Sequence, residues 1–177
     1  MPVTVGITEV DVSDEIESNA DAIDFAVAAY REEGEWILTG LQAERAGSLD
    51  DLLKSLRRFP GETGILGFVS VDEDFFVLVR VAGAHARLLL SDVTAAEEWP
   101  LARQVVEELG IDLDDLDPNN PEPAGDLSLF ADLGLDARHL AAICDDVDAF
   151  PDELLDDIAT ELGFADAFRE AADAVAG

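Results

Sequence analysis

Short clusters of carboxylates are the groups in this sequence whose types and spacing could support chemistry. Asp72, Glu73 and Asp74 lie between two apolar runs, and Asp145, Asp146 and Asp148 precede a proline at a predicted helix start. Carboxylate oxygens suit a divalent cation. Acidic residues are also common in tight turns and at helix ends. A metal site and a structural role therefore both stay open for these clusters.

A further acidic stretch partly imitates a calcium-binding loop. Asp115, Asp117 and Asn119 alternate with other residues, and Asp126 stands at the twelfth position. The sixth position is Asn120, where such a loop needs glycine, and aspartate replaces the usual bidentate glutamate. Three prolines also stiffen the stretch. The pattern therefore favours an acidic connection that binds no calcium.

The other reactive side chains fit structural roles better than catalytic ones. Cys144 falls on the apolar side of a predicted helix, which favours a buried, inert thiol. Arg80 and Arg87 lie on adjacent predicted strands, where a structural ion pair is favoured over ligand binding. The sequence has no phosphate-binding glycine loop, Ser-His-Asp set or zinc spacing. We therefore predict no catalytic residue, no cofactor and no metal ligand.

The elements that position these residues follow the order β-β-α-β-β-β-α up to residue 110. Helices are predicted between Ser48 and Phe59 and between Pro100 and Gly110, from capping residues and helical leucine spacing. The connectors after the third and fourth strands are short, so these strands should form an antiparallel meander. The predicted strands are residues 23–30, 35–41, 65–71, 75–81 and 86–91.

This order predicts an α+β fold: one five-stranded antiparallel sheet, similar in element order to the profilin, longin and roadblock folds. The fourth strand is apolar on both sides, with Phe75 and Val77 on one and Phe76 and Leu78 on the other. A sheet covered on one face would alternate polar and apolar residues. Either helices cover both faces, or one face meets a partner.

Composition divides the chain into four predicted segments. Residues 1–21 are an acidic tail, predicted to be disordered, and residues 22–110 form the α+β domain. Residues 111–125 are a linker rich in proline and aspartate. Residues 126–177 form a small acidic helical segment, with helices at 126–133, at 136–145, from Pro151 to Gly163 and after it.

The charge balance limits the possible partners. The chain has 41 acidic and 10 basic residues, a net charge of −31. Nucleic-acid affinity comes largely from Lys and Arg, so direct nucleic-acid binding and anionic membranes are disfavoured. A highly solvated surface, adaptation to salt and a basic partner steered by the field are the remaining interpretations.

The expected compartment is the cytoplasm. No apolar run is long enough to span a membrane, and residues 1–21 lack the basic and apolar stretches of a signal peptide. One cysteine allows no internal disulfide, which suits a reducing compartment.

Two long blocks in the middle of the chain, and two shorter ones after them, resemble a known family. The sequence is similar to the actinobacterial tRNA adenosine deaminase-associated proteins over about residues 22–170. The resemblance implies a partner, the deaminase that makes wobble inosine in tRNA, and it carries over no catalytic residue. The blocks are 67–80 (GFVSVDEDFFVLVR), 88–103 (LLLSDVTAAEEWPLAR), 125–134 (GDLSLFADLG) and the pattern CDD…FPDEL within 144–154.

The chain does not have the sequence of a zinc deaminase itself. Such an enzyme needs a His/Cys/Cys or Cys₃ site in an H-x-E…P-C-x-x-C pattern. Here the two histidines, His85 and His139, are not followed by glutamate at the second position, and one cysteine is present.

The predicted function is that of a non-catalytic accessory protein. It would dock on tRNA adenosine deaminase or another basic protein through its acidic surface. One alternative is a homodimeric scaffold that pairs through the sheet, and a second is a divalent-metal-binding enzyme. The candidate partner contacts are Asp72, Glu73, Asp74, Asp145, Asp146, Asp152, Glu153, Asp156 and Asp157.

Overall fold

The computed structural model describes residues 22–60, 64–117, 119–146 and 148–176. Within these residues the chain forms one antiparallel sheet and five α-helices, so the predicted α+β class is confirmed. The strands are β1 (Ile23–Glu32), β2 (Glu35–Leu41), β3 (Ile65–Val71), β4 (Phe75–Ala82), β5 (His85–Leu90) and β6 (Ala124–Gly125). The helices are α1 (Leu49–Leu56), α2 (Pro100–Glu108), α3 (Ala137–Cys144), α4 (Pro151–Leu162) and α5 (Ala165–Val175).

The strand order in the sheet is β2-β1-β3-β4-β5-β6, and every neighbouring pair is antiparallel. Glu33 and Gly34 connect β1 to β2 with φ values of 54° and 82°. A two-residue turn with positive φ at both positions matches the twist of a hairpin. The predicted first hairpin and the predicted meander from β3 to β5 are both confirmed.

The prediction of five strands is wrong by one, because Ala124 and Gly125 form a sixth. They pair with Leu90 and Leu89 at the edge of β5. Two residues are too few to show an alternation of polar and apolar side chains, so sequence periodicity does not reveal this strand. It lies inside the predicted linker, residues 111–125.

Capping serine and proline residues define the starts of three of the described helices. Ser48 accepts a hydrogen bond from the Asp51 backbone N–H at 3.2 Å and so caps α1. Proline opens both α2 and α4, where its missing N–H removes no hydrogen bond. The predicted helix at 126–133 is wrong, because its residues form turns and a single 3₁₀ turn, Ala131–Leu133.

Helices cover both faces of the sheet. Val77 and Val79 of β4 face the core that contains α1 and α2. Phe76 and Leu78, on the other side of the same strand, face the core that contains α3, α4 and α5. All four side chains are fully buried. Of the two predicted explanations for the two-sided apolar strands, coverage of both faces by helices is the one observed.

Aromatic contacts join the sheet to the C-terminal helices. The ring of Phe68 on β3 lies 5.3 Å from Phe168 and 6.0 Å from both Phe130 and Phe164. Complete burial of one such side chain stabilises the fold by about 1.5–3 kcal/mol. The second core therefore includes both the sheet and residues of the predicted helical segment, 126–177.

The four-segment division stays a prediction, and the predicted disordered tail, residues 1–21, lies outside the described residues. In the part of the chain that is described, no helix is both long and apolar enough to cross a membrane.

Candidate functional site

The acidic turn between β3 and β4 is held in place by hydrogen bonds. Asp72 and Glu73 have left-handed backbones, with φ of 48° and 52°. The Glu73 N–H and the Ser70 hydroxyl donate to the same carboxylate oxygen of Asp24, at 2.8 and 3.0 Å. Hydrogen bonds to a preceding strand therefore support a conformation that costs about 1 kcal/mol or more at a residue other than glycine.

Asp74, the third predicted contact in this turn, has a structural partner. Its carboxylate accepts a hydrogen bond from the Trp99 indole N–H at 2.8 Å. Trp99 is half-buried, and its ring lies 6.1 Å from that of Phe75. Asp72 and Glu73 remain exposed. Asp74 is exposed as well, so all three residues are accessible to a partner, although the Asp74 carboxylate is already engaged with Trp99.

The remaining predicted contacts lie along the connection from α3 to α4 and on α4. Asp145 follows the last residue of α3, and Asp152 and Glu153 occupy the first turn of α4. Glu153 accepts a hydrogen bond from the Phe150 N–H at 3.0 Å, which satisfies one N–H at the helix start. We call the exposed carboxylates of this region the acidic surface: Asp145, Asp146, Asp148, Asp152, Glu153 and Asp157.

Asp156 differs from its neighbours because it forms an ion pair within the protein. Arg169 on α5 donates to both of its carboxylate oxygens, at 2.7 and 2.9 Å. In the described ranges, the carboxylates of the acidic surface form no ion pair. The predicted contacts fall on two parts of the chain, the β3–β4 turn and the region from Asp145 to Asp157.

Phe150 is a surface residue that the sequence patterns missed. Its side chain is 56% exposed, and it precedes α4 directly. Helical spacing would place it on the same face as the buried Leu154, four residues later. Its backbone is extended, with φ −81° and ψ 159°, so it stands outside the helix. The sequence does contain a signal for this residue: Phe150 is apolar, it directly precedes the proline that opens α4, and five carboxylates lie close to it in the chain.

Two arginines anchor the segment that follows β6. Arg80 and Arg87 are directly opposite on β4 and β5. Arg80, only 7% exposed, donates to both carboxylate oxygens of Asp132 and to the Leu129 carbonyl. Arg87 donates to Asp126 at 2.7 Å. The predicted structural ion pairs are confirmed.

The pKa values of both aspartates reflect these contacts. Hydrogen bonds from Arg80 hold the pKa of Asp132 below its ordinary value. Partial burial raises the pKa of Asp126, but hydrogen bonds from Arg87 and from the Ser128 N–H outweigh this and lower it overall. Both carboxylates are therefore ionised at neutral pH.

The cysteine and the calcium-like stretch, the remaining candidates for a reactive or metal-binding group, are engaged in the fold. Burial raises the pKa of the half-buried Cys144 thiol to about 12, with Asp145 adding to the shift, so the thiol is protonated at neutral pH. Asp126, the twelfth position of the calcium-like stretch, is paired with Arg87. Among the residues that the structure describes, no three His, Cys, Asp or Glu side chains lie close enough together to hold a metal ion.

An open cleft of about 290 Å³ lies beside α1. Its lining mixes acidic and basic side chains, and Lys54 is already paired with Asp50 at 2.9 Å. The Ser55 hydroxyl donates to the Arg45 carbonyl at 3.1 Å, and no histidine lines the cleft to activate it. The Ser55 hydroxyl and the Lys54 ammonium are therefore both engaged within the protein.

Fold and site together define an acidic α+β protein with one antiparallel sheet that helices cover on both faces. The chain belongs to the Rv3753c-like tRNA adenosine deaminase-associated protein family, whose model matches residues 24–165. It is 40% identical over 144 residues to Protein Rv3753c of Mycobacterium tuberculosis. The aligned residues cover 80% of this chain and 83% of that protein. The predicted family is thereby confirmed. No solved structure matches the chain.

Proposed function

We propose that this protein is a non-catalytic accessory protein that docks on a basic surface of tRNA adenosine deaminase through its acidic surface. The family to which it belongs is described as associated with that deaminase, not as the deaminase itself. The observation that carries the docking mode is the set of exposed carboxylates around the start of α4 that make no ion pair among the described residues. Such a partner would place the protein in the cytoplasm.

The positions of the carboxylates support a role beyond helix stability. Asp152 and Glu153 lie at the positive N-terminal end of α4, where a carboxylate is stabilising. Asp145 and Asp146 follow the negative C-terminal end of α3, where a carboxylate is unfavourable. Asp146 nevertheless has a local role, because its carboxylate accepts a hydrogen bond from the Asp148 N–H at 3.1 Å. Local stability therefore accounts for Asp146, Asp152 and Glu153 but not for Asp145, whereas attraction to a basic partner accounts for all four.

Asp72 and Glu73 in the β3–β4 turn are a second, separate candidate contact. They are exposed, and their turn is held rigidly by Asp24. A rigid turn loses little conformational entropy when it binds. We assign the acidic surface the main role because it contains more unpaired charge.

Neither alternative function gains support from a specific observation. Two-sided apolar strands motivated the homodimeric scaffold, and helices of the same chain account for those strands. The metal-binding enzyme was motivated by the acidic turns, in which Asp74 accepts a hydrogen bond from Trp99 and Asp146 accepts one from the Asp148 N–H.

Co-purification with tRNA adenosine deaminase of the same organism, at two salt concentrations and with tRNA as competitor, tests the proposal. We expect binding that weakens with salt, because salt screens exposed charges, and that tRNA displaces, because tRNA would compete for the basic surface. The protein alone should not bind tRNA. Absence of binding at either salt concentration would overturn the proposal.

A pair of matched variants tests the docking surface. Asp145→Asn with Asp146→Asn should slow association and flatten its salt dependence. Glu107→Gln with Glu108→Gln is the control, because those residues are also exposed acids at a helix C-terminus, on α2 at the other face of the sheet. Equal effects of both pairs would show that net charge acts without a defined surface.

A further inference from the structure

Phe150 is the most exposed large apolar side chain in the described part of the chain, at 56%. The next is Ile37 on β2, at 36%. Phe150 belongs to neither hydrophobic core, although its neighbour Ala149 packs against the second one. Its ring makes no described aromatic contact. Its apolar surface therefore contributes little to the fold.

The position of Phe150 is also unfavourable for the helix that follows. It occupies the N-cap of α4, where Ser, Thr, Asp and Asn are preferred because their side chains accept a hydrogen bond from the helix start. Phenylalanine has no such acceptor. Residues that break a local rule without a structural gain are expected at functional sites. Neither burial nor capping explains a phenylalanine here.

The surroundings of Phe150 match the anatomy of a protein–protein interface. Asp148 and Asp152 flank it two residues away on each side, and further members of the acidic surface lie beyond them. Binding energy concentrates in a few apolar or aromatic anchors that fill pockets on the partner, within a polar rim. Charged rims contribute more to the rate of association and its salt dependence. An exposed aromatic side chain with exposed carboxylates before and after it in the chain is consistent with this arrangement.

We infer that Phe150 is the apolar anchor of the acidic surface, and that it inserts into an apolar pocket bordered by Lys or Arg side chains on the basic partner. The inference rests on the proposed function and adds to it a division of roles. The carboxylates steer the partner, and Phe150 sets how long the complex lasts. A second copy of this chain does not fit, because two molecules of net charge −31 repel each other.

Phe150→Ser separates the two roles without loss of folding. Serine can cap α4, so the variant should melt at the same temperature or above. Its affinity for tRNA adenosine deaminase should fall by about tenfold or more, through faster dissociation. The fall should be equal at low and high salt. Phe150→Leu should recover part of the affinity. The control Ile37→Ser removes the other exposed apolar side chain and should bind as the native protein does.

The outcomes distinguish this inference from the proposed function. Native binding by Phe150→Ser, together with weakened binding by the Asp145 and Asp146 variant, would overturn the anchor alone. Weakened binding by Phe150→Ser, with no effect of the charge variant, would support the anchor and remove the acidic docking mode. Failure of the native proteins to bind at any salt concentration would overturn both.

Discussion

Arg80 shows how much depends on a single side chain at the residue scale. It is a cation on a central strand, 7% exposed, and it donates hydrogen bonds to Asp132 and to the Leu129 carbonyl. A buried cation that loses its carboxylate destabilises a fold by about 3–5 kcal/mol. The side chain of Asp132 is 61% exposed, so water can replace part of what it provides.

Replacing Asp132 should therefore have a moderate, pH-dependent effect. Because the pKa of Asp132 is lower in the folded state, its stabilisation is fully present above its unfolded pKa, about 4, and is lost as pH falls through the folded value. We expect Asp132→Asn to lower the free energy of unfolding by about 1–2 kcal/mol at pH 7. Urea denaturation from pH 7 to pH 3 should show the difference from the native protein shrinking below about pH 4. A difference independent of pH would contradict an ionic role.

At the scale of elements, the short strand β6 decides where the chain turns to cover the second face of the sheet. Gly125 has φ 121°, and a Cβ atom there would collide with the Leu88 carbonyl. The next N–H, that of Asp126, donates to that same carbonyl at 2.8 Å. The backbone at Gly125 therefore lies so close to the backbone of Leu88 that no side chain fits at position 125.

Gly125→Ala should destabilise the protein by about 3 kcal/mol or more, because both the φ value and the collision must be relieved. Gly110→Ala is the matched control. It also has a positive φ, 78°, but a Cβ atom there meets nothing within 4 Å, so about 1 kcal/mol is expected. Thermal or urea unfolding of both variants checks this. Equal losses would mean that the close approach at β6 has no energetic weight.

At the scale of the whole molecule, the net charge of −31 acts on folding and on binding in opposite directions. Within the protein, like charges repel and destabilise the compact state. Toward a basic partner, the same charges attract. Added salt screens both effects.

Raising the ionic strength from about 0.01 M to about 0.15 M shortens the Debye length from about 30 Å to about 8 Å. The melting temperature should rise by several degrees over this range, while affinity for the deaminase should fall. Near the isoelectric point, pH 4.1, the stabilising effect of salt should vanish. A melting temperature that falls with salt at pH 7 would show that ion pairs outweigh the repulsion.

The sequence by itself determined the properties that arise from neighbouring residues. Strand and helix periodicity, serine and proline at helix starts, and glycine at turns act over a few residues, so β1 to β5 and α1 could be predicted from their own segments. Net charge and the absence of a zinc-ligand pattern also need no structure. The family resemblance followed from contiguous blocks of sequence.

The tertiary structure alone decided which distant residues meet. β6 exists because Gly125 reaches the edge of β5, and Asp74 is engaged because Trp99, 25 residues later, lies above it. Phe150 is exposed because it precedes α4 with an extended backbone and so does not join the buried face of that helix. Such contacts depend on long-range packing, which local periodicity does not encode. The net charge could be counted from the sequence, whereas the ion pairs of individual carboxylates and the exposure of Phe150 required the fold.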